Sequence, residues 1–373
     1  VLDLTVGPWR VLSVRFGWAS SVLYRGCSMS QTSVTVVVPV YNGELLIARC
    51  LESVFRQSYC GDIEVVVVDD GSTDRTVEVV EGFKDSRISV ISQKNQGPAA
   101  ARNAGIERAK GQYLAFLDAD DYWEPGFLEH TVGFLDNHRE AIAVSTGYCK
   151  RDWDGRSYIR PVLDAIDRTY YKAGGTLCPD FYQFWATYRA VLTGTVVMRT
   201  AIAIEAGGQR TDLRLTEDLE FWGYLATYGG WGFIPKPLFV TDEEAVTPKE
   251  RLAKFQSRFL SFRDFEVEEW LRRIQPRLAG STCQVGFERF LGHIATTVAL
   301  ANAYTFRFSK SYHLAKKWRP RLDLGLGSVL KYGSYGGPLL WPLVCLTLRF
   351  REVAKAYWLP LFKRPAPETS TDG

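Results

Sequence analysis

The chain lacks a GxxxxGK[ST] loop, and no GxGxxG follows a strand, which argues against P-loop and dinucleotide chemistry. Its four histidines, His130, His138, His293 and His313, have no close metal-ligand spacing, which argues against a zinc site. The seven cysteines are an odd number without any CxxC. They read as reduced thiols in the cytoplasm, with Cys50 and Cys60 as small buried or half-buried residues rather than a bridge. A membrane-spanning run is also missing: PLLWPLVCLTL, residues 338–348, has eleven residues, too few for a bilayer. No motif for nucleic-acid binding occurs, and the formal net charge of the 373 residues is only +3. The composition, 46% hydrophobic and 23% charged, is that of an ordinary soluble globular chain, longer than one compact core usually holds.

What is present is carboxylate chemistry at strand ends. LDADDYW, residues 117–123, closes the apolar run GQYLAFL with three carboxylates. If the strand continued, Asp118 and Asp120 would share one face and Asp121 would point elsewhere. Two converging carboxylates repel unless a cation lies between them, and Mg²⁺ or Mn²⁺ held by one or two carboxylates plus phosphate oxygens answers that need. A solvated acidic turn is the alternative for such a cluster.

Upstream, VTVVVPVYNGE (residues 34–44) predicts a buried strand stopped by Pro39, with Tyr41 and Asn42 in the following loop. LLIARCLESVFRQ places Leu46, Cys50 and Val54 on one helical face. IEVVVVDDGSTD (residues 63–74) repeats the scheme: Asp69 and Asp70 end the apolar run, Gly71 permits a tight turn, and Ser72 to Asp74 can cap a helix starting near Arg75. RISVISQ predicts a third strand, and NQGPAAARNAGIERAKG a helix with Arg102 and Asn103 near its start. The alternation predicts a parallel α/β sheet covered on both faces, with ligands beyond the carboxyl ends of the strands. Asn42, Asp70, Arg102 and Asp120 fall on or just past those ends, so one crevice would collect them.

VPVYNGE, VVDDGSTD, NQGPAAARNAG and FLDADD, in this order and spacing, resemble the nucleotide-binding half of the family 2 glycosyltransferases of GT-A fold. GGQRTDLRLTEDLEFWGYLA (residues 207–226) is similar to the acceptor-side segment of that family, so the resemblance runs over roughly residues 34–240. It implies a Rossmann-like, mostly parallel sheet with helices on both faces, here followed by a C-terminal helical extension. It also implies transfer of a sugar, with inversion, from a nucleoside-diphosphate sugar, UDP being the expected nucleotide. The acceptor would be a glycan or lipid-linked acceptor in cell-envelope polysaccharide or glycolipid synthesis, with Mn²⁺ or Mg²⁺ as cofactor. Carried onto this sequence, Asp70 would recognise the base, with Pro39, Tyr41, Asn42 and Glu44 around the nucleotide. Asp118 would lie near the ribose, Asp120 would coordinate the metal, and Asp218 in TEDLEFW would be the catalytic base. Gln209 and Arg210 depart from the family, which often has an aromatic and an acidic residue after the two glycines; this bears on the acceptor contacts and leaves the donor site intact.

The chemistry fits these roles. Departure of a nucleoside diphosphate builds negative charge that a bridging cation stabilises, and Arg102 could add fixed positive charge to the cluster. An acceptor hydroxyl must lose a proton to a positioned carboxylate, Asp218 or its competitor Glu217. Thr216 is expected to cap their helix, putting both acids at its positive end, where the carboxylate pKa is depressed; mere complementing of the helix dipole is the bland alternative. Trp123, Trp185, Trp222 and Trp231 could stack on sugars but read as core. A processive polysaccharide synthase would need several spanning helices and a QxxRW-type segment, both missing. A catalytically silent nucleotide-sugar-binding protein and a nucleotidyltransferase on a related sheet remain rivals.

The expected division is an extension at 1–33, a glycosyltransferase domain at 34–245 and a basic helical region at 246–373. Residues 1–28 show no sustained period, signal-peptide core or cleavage pattern, and Met29 precedes the first strand; a native start there is expected, with a short amphipathic anchor as the rival. Between Asn302 and Arg364 stand 12 Lys plus Arg against 2 Asp plus Glu, a net of +10. With the aromatics and the apolar run, this suggests a peripheral attachment to anionic lipid at the cytoplasmic membrane face, anchored by Trp341. Packing of the same segment on the catalytic domain is the alternative.

Overall fold

The computed structural model describes residues 32–151, 157–162, 166–213, 216–242, 260, 262–322 and 326–357. The expectations placed on residues 1–28 and the boundary at 245–246 lie outside them. Strands β1 (Val34–Val40), β2 (Ile63–Asp69), β3 (Ile88–Ser92) and β4 (Tyr113–Phe116) pair in parallel, with α1 (Ile47–Phe55), α2 (Thr76–Glu81) and α3 (Pro98–Arg108) as crossovers. After β5 (Tyr122–Trp123) and α4 (Phe127–Asn137) come β6 (Ala141–Arg151), β7 (Ser157–Arg160), β8 (Thr176–Leu177), α5 (Phe181–Tyr188), β9 (Val196–Arg199), α6 (Thr200–Glu205), α7 (Glu217–Leu225) and β10 (Gly230–Asp242). The sheet runs β3-β2-β1-β4-β9-β6-β10-β5, with β7 beside β6 and β8 beside β10. Beyond β4 it becomes mixed: β9 lies antiparallel between β4 and β6, while β10 is parallel to β6.

The parallel half is built as its apolar runs dictate. Val34, Val36 and Val38 of β1 enter the core on one face, where α1 contributes Ile47, Cys50 and Val54, whereas Val37 enters the core on the other. Helix α3 approaches that second face through Gly105, where a Cβ would lie 2.2 Å from the Val37 side chain. Pro39 does not stop β1 as the sequence suggested, but sits inside it opposite Val68. The reason is geometric. The Val37 carbonyl accepts from Leu117 N–H, so residue 39, two further on, faces the same side, where β4 has already ended. No partner there requires the N–H that proline lacks. Cys50 is buried and Cys60 exposed, both as free thiols. The four tryptophans noted above are all core residues.

The C-terminal helices join the same core as α3 and α5. Helix Gln284–Tyr304 stacks Phe290 on Trp185 at 4.2 Å between ring centroids and sets Phe287 5.0 Å from Tyr182. Two expectations for this region are corrected. Trp341 is 0% exposed, packed beside Tyr312, and does not reach outward. Much of the positive charge is also spent internally: Arg307 pairs with Asp264, Lys310 with Glu266, Lys317 with Glu268 and Arg321 with Glu288. The outer side of helix Gly337–Tyr357 nevertheless shows Leu339, Leu340, Leu343 and Leu346, with Leu339 91% exposed. Among the described residues, no helix is long and apolar enough to cross a membrane.

One ion pair fastens this helical region to α7. Glu220, fully buried, accepts from Arg273 Nε at 2.6 Å and Nη2 at 2.5 Å. Removing one partner of such a pair leaves a buried charge, which costs about 3–5 kcal/mol, whereas replacing both by apolar groups is close to neutral. Arg273→Met should therefore destabilise the protein by that amount in denaturant unfolding, and the double variant Glu220→Leu/Arg273→Met should recover most of it.

Candidate active site

Two loops beyond β1 and β2 are knitted together. Asn42, at φ 52°, donates its N–H to Ser72 Oγ at 2.9 Å and accepts Thr73 N–H on Oδ1 at 2.8 Å. Gly43 N–H reaches Thr76 Oγ1, Glu44 N–H reaches Asp74 Oδ2, and Arg75 N–H returns to Glu44 Oε2. Asp74 also accepts the Thr76 N–H, but the N-cap position of α2, which begins at Thr76, is Arg75 and makes no side-chain cap, so the cap expected of Ser72 to Asp74 is not formed at that position. Tyr41 stands outward and half exposed at the rim of this pair of loops. Asp70 lies beneath, 4% exposed: Oδ1 accepts from Gln93 Nε2 and Gln96 N–H, and Oδ2 from Gly97 N–H. A carboxylate has about four lone-pair sites, so the protein leaves Asp70 room for one further donor. Its acceptor face is thus fixed by the segment that leads into α3.

The acidic run is a turn and not a strand end. β4 stops at Phe116, and Asp121 N–H closes on the Asp118 carbonyl at 3.0 Å. The turn, not strand alternation, gathers the carboxylates. Asp120 is exposed at its tip, while burial, reinforced by Asp120 and Asp118, pushes the Asp121 carboxyl up to about 8. Arg49 braces the turn: Nη2 donates to the Asp120 carbonyl at 2.8 Å, Nη1 pairs with Asp242 at 2.7 Å, and the guanidinium lies 4.8 Å from the Tyr122 ring centroid. The oxygen donors of Asp118 and Asp120 fit a hard divalent cation such as Mg²⁺ or Mn²⁺. Among the described residues, no cluster of three or more His, Cys, Asp or Glu forms a metal cage, so such a cation would share its coordination with phosphate oxygens.

Arg102 joins this turn to α7. Buried on α3, it donates Nη2 to Asp118 Oδ1 at 2.8 Å and Nη1 to Gln209 Oε1 at 3.3 Å, and it stands 3.7 Å from Glu217 Oε1. The structure thus brings Asp118, Arg102, Glu217 and Asp218 together. Asp218 Oδ2 accepts from Thr193 Oγ1 at 3.2 Å, and Oδ1 accepts the Leu219 N–H at 2.7 Å. Thr216 does precede α7, but at φ 63° and without a side-chain cap; its hydroxyl accepts instead from Trp270 Nε1 at 3.1 Å. Glu217 also departs from expectation. Burial, followed by the charge of Asp218, raises its pKa, outweighing both the helix terminus and Arg102. Sequence reasoning assigned no role to Arg49 or Asp242, whose meeting depends on contacts across the fold. It named Gln209 only as an acceptor-side departure, whereas its side chain reaches Arg102.

A carboxyl whose pKa is raised in the folded protein binds its proton more tightly there than in the unfolded chain. Stability from Glu217 is therefore full at low pH and falls as pH rises above the ordinary carboxylate range. Glu217→Gln should accordingly raise the melting temperature more at pH 7 than at pH 4, as differential scanning fluorimetry at the two pH values would show.

Residues 35–194 match the family model described as glycosyl transferase family 2. The chain is 30% identical over 243 residues to glycosyltransferase GlyA of Streptococcus pneumoniae, an overlap of 65% of this chain and 33% of that protein. It is 39% identical over 134 residues to an uncharacterized glycosyltransferase, EpsJ, of Bacillus subtilis, covering 35% of this chain and 38% of the relative. The chain thus spans little more than a third of these relatives. In fold it is similar to S. aureus TarS 1–349, with a TM-score of 0.51 at 19% identity over 86% of this chain and 92% of that one. The crystal structure of the same TarS segment in complex with UDP-GlcNAc aligns with a TM-score of 0.51 at 20% identity over the same shares.

Proposed function

We propose that the chain, whose residues 35–194 match glycosyl transferase family 2 and whose fold is that of the GT-A enzymes, transfers a sugar, with inversion, from a UDP-sugar to a glycan or lipid-linked acceptor. The observation that carries this reading is the convergence of Asp118, Arg102, Glu217 and Asp218 beside the knitted loops 41–44 and 70–76. Asp70, with Pro39 near the end of β1 and Tyr41, Asn42 and Glu44 in the loop after it, receives the nucleotide, and Asp118 orients the ribose. Asp120, together with phosphate oxygens, would hold Mn²⁺ or Mg²⁺, which would supply Lewis-acid stabilisation of the departing diphosphate. The UDP and UDP-GlcNAc complexes of TarS support the choice of nucleotide.

Asp218 takes the proton of the acceptor hydroxyl as that hydroxyl attacks the anomeric carbon from the face opposite the diphosphate. Its hydrogen bond from Thr193 fixes the carboxylate plane. Glu217, the other candidate, stands 3.7 Å from Arg102 Nη1, a position suited to balancing that cation. The silent binding protein and the nucleotidyltransferase make different products: the first releases none, the second pyrophosphate.

Incubation with UDP-glucose, UDP-galactose, UDP-N-acetylglucosamine and GDP-mannose in Mn²⁺ tests the reading through free nucleoside diphosphate. Asp218→Asn should lower release by roughly a hundredfold or more, the scale of general-base removal, with UDP binding nearly unchanged. Asp120→Asn should lose turnover and Mn²⁺-dependent UDP binding together. Wild-type release of pyrophosphate, or of nothing from any donor, would refute the transferase reading.

A lipid-linked acceptor is consistent with attachment of the enzyme to an anionic membrane surface. The support is the exposed stripe Leu339, Leu340, Leu343 and Leu346, together with the bases of residues 302–364 that remain after four of them pair with acids of the preceding segments. The protein should sediment with phosphatidylglycerol-containing vesicles at low salt. Because burying one leucine is worth roughly 1.5–3 kcal/mol, Leu339→Glu/Leu343→Glu should weaken that binding by at least about tenfold. Undiminished binding by the folded double variant would remove this stripe as the anchor.

A further inference from the structure

We infer that Gln209 is a positioning residue of the transfer reaction, fixing Arg102 so that the donor-side Asp118 and the acceptor-side Glu217 share one guanidinium. The inference rests on the transferase reading above.

The turn that carries Gln209 is docked onto α3 with little freedom. Gly207 and Gly208 hold φ values of 73° and 70°, and a Cβ on Gly208 would lie 2.4 Å from Asn103 Oδ1. Asn103 then grips the backbone of Gln209 from both sides: Oδ1 accepts its N–H at 2.7 Å and Nδ2 donates to its carbonyl at 2.8 Å. Asn103 is the residue after Arg102, so this grip sets the Gln209 side chain against the neighbouring guanidinium.

The side chain is 3% exposed, and burying an amide is costly unless it is hydrogen-bonded. Only its carbonyl end is used. Oε1 accepts from Arg102 Nη1, whereas Nε2 finds no acceptor among the described residues. Arg102 Nε has no acceptor there either, so both ends of the orienting geometry lie at Nη1 and Nη2. Nη2 is held by Asp118 at 2.8 Å, while Glu217 stands 3.7 Å from Nη1, beyond a good hydrogen bond. A neutral acceptor at Gln209 thus orients Nη1 without competing as a charge for the cation. Without it, the guanidinium is free to turn toward one carboxylate, and the donor and acceptor sides lose their common reference.

Kinetics in Mn²⁺, with the UDP-sugar that the wild-type protein cleaves fastest, test this. Gln209→Met keeps the bulk and removes the acceptor; kcat should fall by about tenfold or more, the loss of one hydrogen bond to a charged group, with KM within about twofold. Gln209→Glu keeps an oxygen at the same reach but adds a charge that competes with Asp118 and Glu217 for the cation, so kcat should fall there as well, again with KM within about twofold. Melting temperature is measured on both. A Met variant with wild-type kcat, a Glu variant with wild-type kcat, or a loss expressed in KM alone would overturn the inference. A wild-type protein that releases no nucleoside diphosphate from any donor would instead overturn the transferase reading on which it stands.

Discussion

The site depends on one buried guanidinium. Arg102 is enclosed by the sheet, α3 and the turn before α7, and burial works against its charge while Asp118, Asp218 and Glu217 work for it; the carboxylates prevail and its pKa is raised. A charge so placed is retained only when its partners are close and its protons are used, since an unpaired buried cation costs several kcal/mol. Those partners come from separate parts of the chain: the turn after β4, the Gly-Gly-Gln turn and the start of α7. The cation therefore ties the strand ends that read as the donor side to the helix that reads as the acceptor side. Displacing either one exposes a desolvated charge.

The excess of negative charge around it has a consequence. Asp118, Asp120, Asp121, Glu217 and Asp218 lie near two cations, Arg102 and Arg49, and the latter is partly engaged by Asp242. Burial raises the carboxyls of Asp121 and Glu217, and the neighbouring carboxylates raise them further. On the proposed reading, a nucleoside diphosphate alone would add to that repulsion, whereas a nucleotide arriving with a divalent cation relieves it. Binding of the donor and binding of the metal would then be coupled by electrostatics before any contact to the sugar is made.

Much of this was legible in the sequence because the parallel half of the sheet is local in its grammar. Continuous valine runs, a glycine at Gly71 and an alanine-rich helix each specify their own element, and the carboxyl ends follow. Asn42, Asp70, Arg102 and Asp120 could be assigned to one crevice without knowing any distance. Pro39 was misjudged because its tolerance depends on where β4 ends, a fact about a neighbour and not about β1. The shared face of Asp118 and Asp120 was argued from strand alternation, because periodicity carries no signal for a turn closed by Asp121 N–H on the Asp118 carbonyl. Thr216 has the residue type of a cap, yet Trp270, more than fifty positions away, claims its hydroxyl. The burial that raises Glu217 is likewise a tertiary property that no window of sequence reports.

The C-terminal region shows the same limit from the opposite side. Its charge count suggested a basic surface, but four of those bases meet acids from the preceding segments, so composition overstated the free charge. Its tryptophan was expected outside and is inside, because the helix Gly337–Tyr357 has two apolar faces and Trp341 lies on the one that packs. The inward face does more than fill space. Helix Gln284–Tyr304 stacks on α5, while Trp270 and Arg273 reach Thr216 and Glu220 on the helix that bears Asp218. The placement of the proposed base is therefore set from two directions, by Arg102 at the sheet and by the helical region behind α7. The knitted loops around Asp70 are instead held by contacts within residues 41–97, so the proposed nucleotide side is ordered by the parallel half itself and the proposed acceptor side by the helical region as well.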